Sequence, residues 1–472
     1  MRAVLGAAVV ALVASPSGAA GTVVSSASAA TNQSKYVRLT RARIVRAPTT
    51  LLRTTIRLGH HDSVFVQTDG TYRPKNRTSA ADVYITIDGR KVTNDSLADW
   101  RSSEQLDAHP FDAMDSLTLV SGRHTIALRA RPPLLAPCHY DVCPSSTEKG
   151  SVRTGAFDVL AGANLSVFVH PATDVTSKQL SSDVGPFNFD TTGYFTTDTH
   201  LTKPLPIAPL LSTDVDAGES AVALGSGWLF ANGGTGDAML TMLLDGSFPG
   251  DDVSSWAVND LWFGAELRAP ESVQEFVSPS NAAREVSLGT IEFPWMPAWG
   301  AADDPVVYSV AARTTMTVMS GGLSIAGVAG GPHDTSPDPL PSALIGGSQE
   351  GVPTGRRVPL TSAHVNVPRG NPGIVFFSAK AMDQGGGGFD GPPSRGTMSF
   401  FLTIDGKRVG PRTRQEVSVP DDGSGATIAT SYLATGRAHL RAGNHFVQLW
   451  GEADGPFQRA WMWPNAGLIW FD

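Results

Sequence analysis

Apolar residues fall in short runs of about four to seven along the whole chain, separated by clusters of Gly, Pro, Asn and Asp. Runs of that length between turn residues predict β-strands, and many of them in succession predict a sandwich or jelly roll. The clearest run is Val83-Tyr84-Ile85-Thr86-Ile87-Asp88-Gly89. It recurs as Leu240-Thr241-Met242-Leu243-Leu244-Asp245-Gly246 and as Phe400-Phe401-Leu402-Thr403-Ile404-Asp405-Gly406. The Asp-Gly pairs are 157 residues apart (245 − 88) and 160 apart (405 − 245). Asp-Gly ends a strand in a tight turn because Gly accepts positive φ and Asp bonds its own backbone.

The flanks repeat as well. Val64-Phe65-Val66, Trp228-Leu229-Phe230 and Val375-Phe376-Phe377 precede the three motifs. Gly122-Arg123-His124 and Gly443-Asn444-His445 open a later strand in the first and third copies, and the second copy fits loosely around Arg284 to Leu288. His124 and His445, at matched strand starts, read as structural hydrogen-bonding residues. A last hairpin is expected at 157–169, 306–319 and 457–471, and one short helix at 273–283. The predicted fold is all-β: three tandem β-sandwich (jelly-roll or Ig-like) domains after a cleaved signal peptide. The division is 1–30 signal, 31–170 first copy, 171–209 linker, 210–329 second copy, 330–359 Pro/Gly-rich linker and 360–472 third copy.

Composition narrows the class. With 49 Gly and 33 Pro in 472 residues, and 17% charged residues against an average of roughly 25%, the chain is no coiled coil, collagen or charge-rich disordered protein. The net charge of −8 argues against a nucleic-acid partner. Arg2, the apolar run 3–14 and Ala27-Ser28-Ala29 have the form of an export signal and its cleavage site. No other stretch is long and apolar enough to span a bilayer, so a secreted or cell-surface protein with no membrane span in the mature chain is expected. In that setting Cys138 and Cys143 are expected to form a disulfide. A metal site adding His139 and Asp141 is the sharper alternative, without the usual zinc spacing.

Four groups carry candidate chemistry. Lys35, Arg38, Arg41, Arg43, Arg46, Arg53 and Arg57 form a basic segment with no acid until Asp62. Arg41 and Arg43, two apart, would share a strand face and grip a polyanion, or stand on a solvated face. Trp461 and Trp463, and Trp295 and Trp299, are candidate sugar platforms, with core filling as the plainer reading. Asp69, Asp237, Asp383 and Asp390 lie in segments before the motifs that read as loops; their oxygens suit Ca²⁺, although turn chemistry explains them too. Glu452 is the candidate catalytic acid, but Arg131 occupies the matching position of the first copy, and no G-x-S-x-G or H-E-x-x-H occurs. The expected function is non-catalytic extracellular binding or adhesion to a glycan or cell-envelope polymer, where linked copies add avidity. The alternatives are a self-associating surface-layer or assembly subunit and a polysaccharide-active enzyme.

Overall fold

The structure is a computed structural model. It describes residues 35–75, 81–93, 96–97, 109–132, 134–135, 152–153, 155–170, 174–187, 207–232, 237–246, 266–277, 279–293, 307–310, 312–321, 323–329, 343–344, 357–367, 372–384, 394–419, 430–439, 441–454 and 459–471. Among these residues every regular element is a strand, every pairing is antiparallel, and there is no helix. The short helix expected at 273–283 is replaced at its start by the strand Glu266–Val277. That strand pairs residue by residue with Ala221–Asn232, from Ala221↔Val277 to Asn232↔Glu266. A ladder of that length outweighs a weak local helical tendency.

One strand order recurs three times. In the first set Lys35–Arg38 pairs with Asn164–His170, which pairs with Asp62–Pro74, and His109–Leu119 pairs with the other edge of Asp62–Pro74. In the second, Asp174–Gln179, Thr315–Ser320, Ala221–Asn232 and Glu266–Val277 follow the same order. In the third, the order is Leu323–Ala329, Arg459–Phe471, Pro372–Gln384 and Thr430–His439. Each set has a companion sheet centred on Gly122–Arg131, Arg284–Phe293 or Gly443–Asp454. Those central strands lie between Thr49–Leu58 and Asp82–Ile87, between Ile207–Val215 and Asp237–Leu244, and between Arg357–Val367 and Ser394–Ile404.

This pairing corrects the reading of the linkers. Residues 171–209 are not spacer throughout: Asp174–Gln179 and Val184–Phe187 pair with Thr315–Ser320 and Val307–Val310. Ala343–Leu344, inside 330–359, pairs with Arg459–Phe471. Leu323–Ala329, assigned from sequence to the second copy, pairs with the last strand of the third. Asp174–Gln179 is an edge strand of mostly exposed residues and carries little apolar signal, which is why it looks like spacer.

Alternation builds the core. Val64, Val66, Leu165 and Val167 of one sheet meet Leu52, Ile56, Val83, Ile85, Ile126 and Leu128 of its companion in one buried cluster. Ala221, Ala223, Met316 and Val318 likewise meet Leu240, Met242, Val286 and Leu288. Two glycines permit close approach at matched places. A Cβ at Gly70 would lie 2.5 Å from Phe111 Cζ and 2.7 Å from Ala163 Cβ, and one at Gly227 would lie 2.4 Å from Thr314 Oγ1.

The strand Asp62–Pro74 is buried on both faces: Phe65 and Gln67 point away from the core cluster yet are buried. The strands Lys407–Val419 and Thr430–His439 of the third set lie against Asp62–Pro74 and His109–Leu119. His109–Leu119 also lies against Asp174–Gln179 and Glu266–Val277 of the second set. There Asp115 Oδ1 accepts hydrogen bonds from Ser177 Oγ (2.9 Å) and Thr317 Oγ1 (3.4 Å). Burial pushes the Asp115 carboxyl up to about 6, against the pull of these bonds.

The repeated Asp-Gly pair forms the same clasp three times. Asp88, Asp245 and Asp405 have φ of 50°, 54° and 50°, and the following glycines 83°, 71° and 73°, as a tight hairpin turn requires. Each Asp Oδ1 accepts from a backbone N–H on the companion strand: Thr125 at 2.8 Å, Glu285 at 3.0 Å and Phe446 at 2.8 Å. Each Oδ2 meets a cationic or titratable side chain: His124 Nδ1 at 2.8 Å, Arg284 Nε at 2.8 Å and His445 Nδ1 at 2.6 Å. The second histidine nitrogens face the carbonyls of Val120 (2.8 Å) and Arg441 (2.7 Å).

Candidate functional site

The clasp fixes the register of the companion sheet, so equivalent cross-strand pairs can be compared across the three sets. Leu52, Ile56, Val83, Ile85, Ile126 and Leu128 face the core, so the alternate residues of these strands face outward. The pair beside the clasp is Thr55↔Thr125 in the first set, Asp214↔Glu285 in the second and His364↔Phe446 in the third. Two residues further along it is Arg53↔Ala127, Ser212↔Ser287 and Ser362↔Gln448. One framework face therefore carries three chemistries.

The third face is aromatic and polar. Phe401 and Trp450 are stacked with ring centroids 6.2 Å apart and planes 3° from parallel. Trp450 Nε1 donates to Thr403 Oγ1 at 2.9 Å, which fixes the indole. Beside them His364 and Phe446 rings stand 4.7 Å apart. His364, Ser362, Asn366 and Asn444 are exposed, while Trp450, Phe446 and Gln448 are half-buried. Arg357 lies over the Phe401 ring at 5.4 Å. Aromatic rings edged by amide and hydroxyl groups suit the C–H faces and hydroxyls of a sugar.

Glu452 closes one end of this face. Its Oε1 is 2.9 Å from Arg412 Nη2 and its Oε2 is 3.2 Å from Arg357 Nε. A carboxylate with both oxygens engaged by guanidinium groups is poorly placed to give a proton to a leaving group. The matching Arg131 of the first set pairs with Asp82 Oδ2 at 2.6 Å. The position is thus an ion-pair slot whose sign is reversed between sets.

The other sequence candidates fall elsewhere. Trp461 and Trp463 lie two apart in the interior strand Arg459–Phe471, in register with Met382 and Lys380. Trp295, Trp299, Asp390, Cys138 and Cys143 lie outside the described residues. Arg41 and Arg43 do not share a strand: Arg41 sits in a bend before Arg43–Val45, and both are exposed. Asp69, Asp237 and Asp383 are in strands, not loops. Asp69 is 1% exposed, accepts a hydrogen bond from Asn164 Nδ2, and leaves Oδ1 without a partner. Burial pushes its carboxyl up to about 7, opposed by Asn164 and Arg38. Among the described residues no group of three or more His, Cys, Asp or Glu is placed to hold a metal ion.

The clasp carboxylates are structural. The backbone N–H of Phe446 and then His445 hold Asp405 below its ordinary range. Burial pushes Asp88 up, but the bonds from Thr125 and His124 outweigh it and hold it low. The carbonyl of Arg441 and the carboxylate of Asp405 raise His445. Burial lowers His124, but Asp88 and the Val120 carbonyl outweigh it, and the net shift is upward.

No family model matches the chain, and no curated protein matches it in sequence. Among solved structures, the plant receptor-like kinase FER is similar at 11% identity over 61% of this chain and 88% of that one, with a TM-score of 0.20. The ANX1 ectodomain from Arabidopsis thaliana gives 11%, 61%, 88% and 0.19. The infectious bursal disease virus Gt strain structure gives 8% identity over 92% of this chain and 82% of that one, with a TM-score of 0.21. Scores this low carry no argument about shared fold or role. No helix among the described residues is long and apolar enough to cross a membrane.

Proposed function

We propose that the protein is an exported, non-catalytic binding protein of three tandem β-sandwich units, and that it recognises a glycan or cell-envelope polymer. The observation that carries this reading is the outward face of the third companion sheet, with the stacked Phe401–Trp450 pair, the His364–Phe446 pair and their polar edge. Secretion rests on the signal-like residues 1–30, and the Cys138–Cys143 disulfide follows from that setting. The unit boundaries that best suit the strand pairing place one unit before residue 171, a second from Asp174 to Ser320 and a third from Leu323 onward. Fold alone does not give function, so the reading rests on the chemistry of that face.

The test is a screen of residues 31–472 against neutral glycans and cell-wall polymers, with light scattering to follow mass. Saturable binding that Trp450→Ala weakens by roughly tenfold or more, the effect of losing a central aromatic anchor, supports the reading. Binding unchanged by Trp450→Ala but lost in Trp461→Ala or Trp463→Ala moves the site to the other sheet. No binding with growing mass supports an assembly subunit instead.

A further inference from the structure

The face of the first set equivalent to the aromatic one is cationic. Arg53, Arg57, Arg123 and Arg129 all fall on it, and Arg57 and Arg123 are direct cross-strand partners. Arg53, Arg57 and Arg123 are exposed and Arg129 is half-buried. Asp82 also lies on this face, but it is already taken: Arg131 Nε is 2.6 Å from Oδ2 and Lys91 Nζ is 4.0 Å from Oδ1. Arg131 and Lys91 also flank the Tyr84 ring, at 5.6 Å and 4.6 Å. Among the described residues no ion pair joins a carboxylate to Arg53, Arg123 or Arg129.

We propose that this face binds an anionic polymer, with the guanidinium groups of Arg53, Arg57, Arg123 and Arg129 pairing with carboxylate or phosphate groups spaced along an extended chain. Arg57 and Arg123 stand directly opposite each other across the two strands, which brings two guanidinium groups to one place on the face. The framework does not demand arginine there: the equivalent cross-strand pair of the third set is Asn366↔Asn444. The cations are concentrated on a chain whose net charge is −8, so bulk charge does not explain them. Planar guanidinium forks suit both carboxylate and phosphate. At roughly 3.4 Å per residue, Arg53 to Arg57 spans roughly 14 Å and Arg123 to Arg129 roughly 20 Å. That strip fits several charged repeats of a linear polymer better than a single small anion.

This site is separate from the aromatic face, and its test separates the two. Residues 31–472 are titrated with polygalacturonate, with its methyl-esterified form, with poly(glycerol phosphate) and with single-stranded DNA of matched charge. The variant carries Arg53→Ser, Arg57→Asn and Arg123→Asn, the residues that the third set holds at these positions. The expected result is saturable binding to polygalacturonate or poly(glycerol phosphate), the stronger of the two telling carboxylate from phosphate. It should weaken by about tenfold or more between about 50 and about 300 mM salt. The triple variant should bind at least about tenfold more weakly while melting no lower than the parent. Trp450→Ala should leave this binding intact. The proposal is overturned by no binding to either polymer at low salt, by equal binding to the esterified form, by unchanged affinity in the triple variant, or by tighter binding to DNA.

Discussion

Both histidine clasps face acceptors at each ring nitrogen, a carboxylate at one and a carbonyl at the other. Only the imidazolium donates to both. Deprotonation removes one donor and leaves a nitrogen lone pair against an oxygen. A single hydrogen bond contributes about 1 kcal/mol, and more when charged. The Asp88 and Asp405 side chains are 48% and 49% exposed, so solvent screening keeps the figure at the low end. About 1 kcal/mol per clasp, or about 2 kcal/mol if both open in one transition, is the expected loss. The sign follows from the raised folded pKa: the stabilisation is full below 6.5, the unfolded value, and is lost as pH rises through the folded values. Asp69 and Asp115, raised to about 7 and about 6, add stability losses of the same sign. The comparison must therefore be with a variant that keeps both. His124→Arg/His445→Arg copies the Arg284–Asp245 clasp, in which a guanidinium donates to the carboxylate at 2.8 Å. Urea unfolding at several pH values between about 6 and about 9 should show the parent losing about 2 kcal/mol more than this double variant. A variant that loses as much as the parent would refute protonated clasps.

Other outcomes follow from the same packing. Gly70→Ala places a Cβ 2.5 Å from the buried Phe111 ring, so a loss of about 1–3 kcal/mol in chemical denaturation is expected, as for other overpacked cores. Asp115→Asn keeps an acceptor for Ser177 and Thr317 but removes a buried charge. It should raise the melting temperature at pH 8 and change it little at pH 5, because the raised carboxyl is charged only above about 6. A larger gain at pH 5 would contradict that account. Glu452→Gln should lower stability by about 1–3 kcal/mol in chemical denaturation, because a carboxylate only 16% exposed is shared by two guanidinium groups.

The strand-turn repeat was legible because apolar runs and Asp-Gly are local signals. The matched His124 and His445 followed from it; Arg284 was harder, since its clasp is made by a different side chain at the same place. Asp174–Gln179 escaped because it is an edge strand with mostly exposed residues, so composition imitates a spacer. Thr68-Asp69-Gly70 reads as a loop because Thr-Asp-Gly has turn chemistry, whereas Gly70 serves close packing inside a strand. Trp450 lacks the local pattern that marks Trp461 and Trp463, or Trp295 and Trp299, as candidates in the sequence. Its partners Phe401 and Thr403 are tens of residues away, and such pairings depend on register, which one sequence does not display.

The pairing of each lead strand with the last strand of its own set has a mechanical consequence. Lys35 lies opposite Val167, Asp174 opposite Ser320 and Leu323 opposite Phe471. In every set the chain therefore enters and leaves at the same end of that antiparallel pair. Tension applied through the two ends loads the rungs one after another, like a zipper, instead of all at once along the strand axis. Each set should yield at low force when pulled end to end, and grip that must survive strong drag would have to come from many bound chains sharing the load.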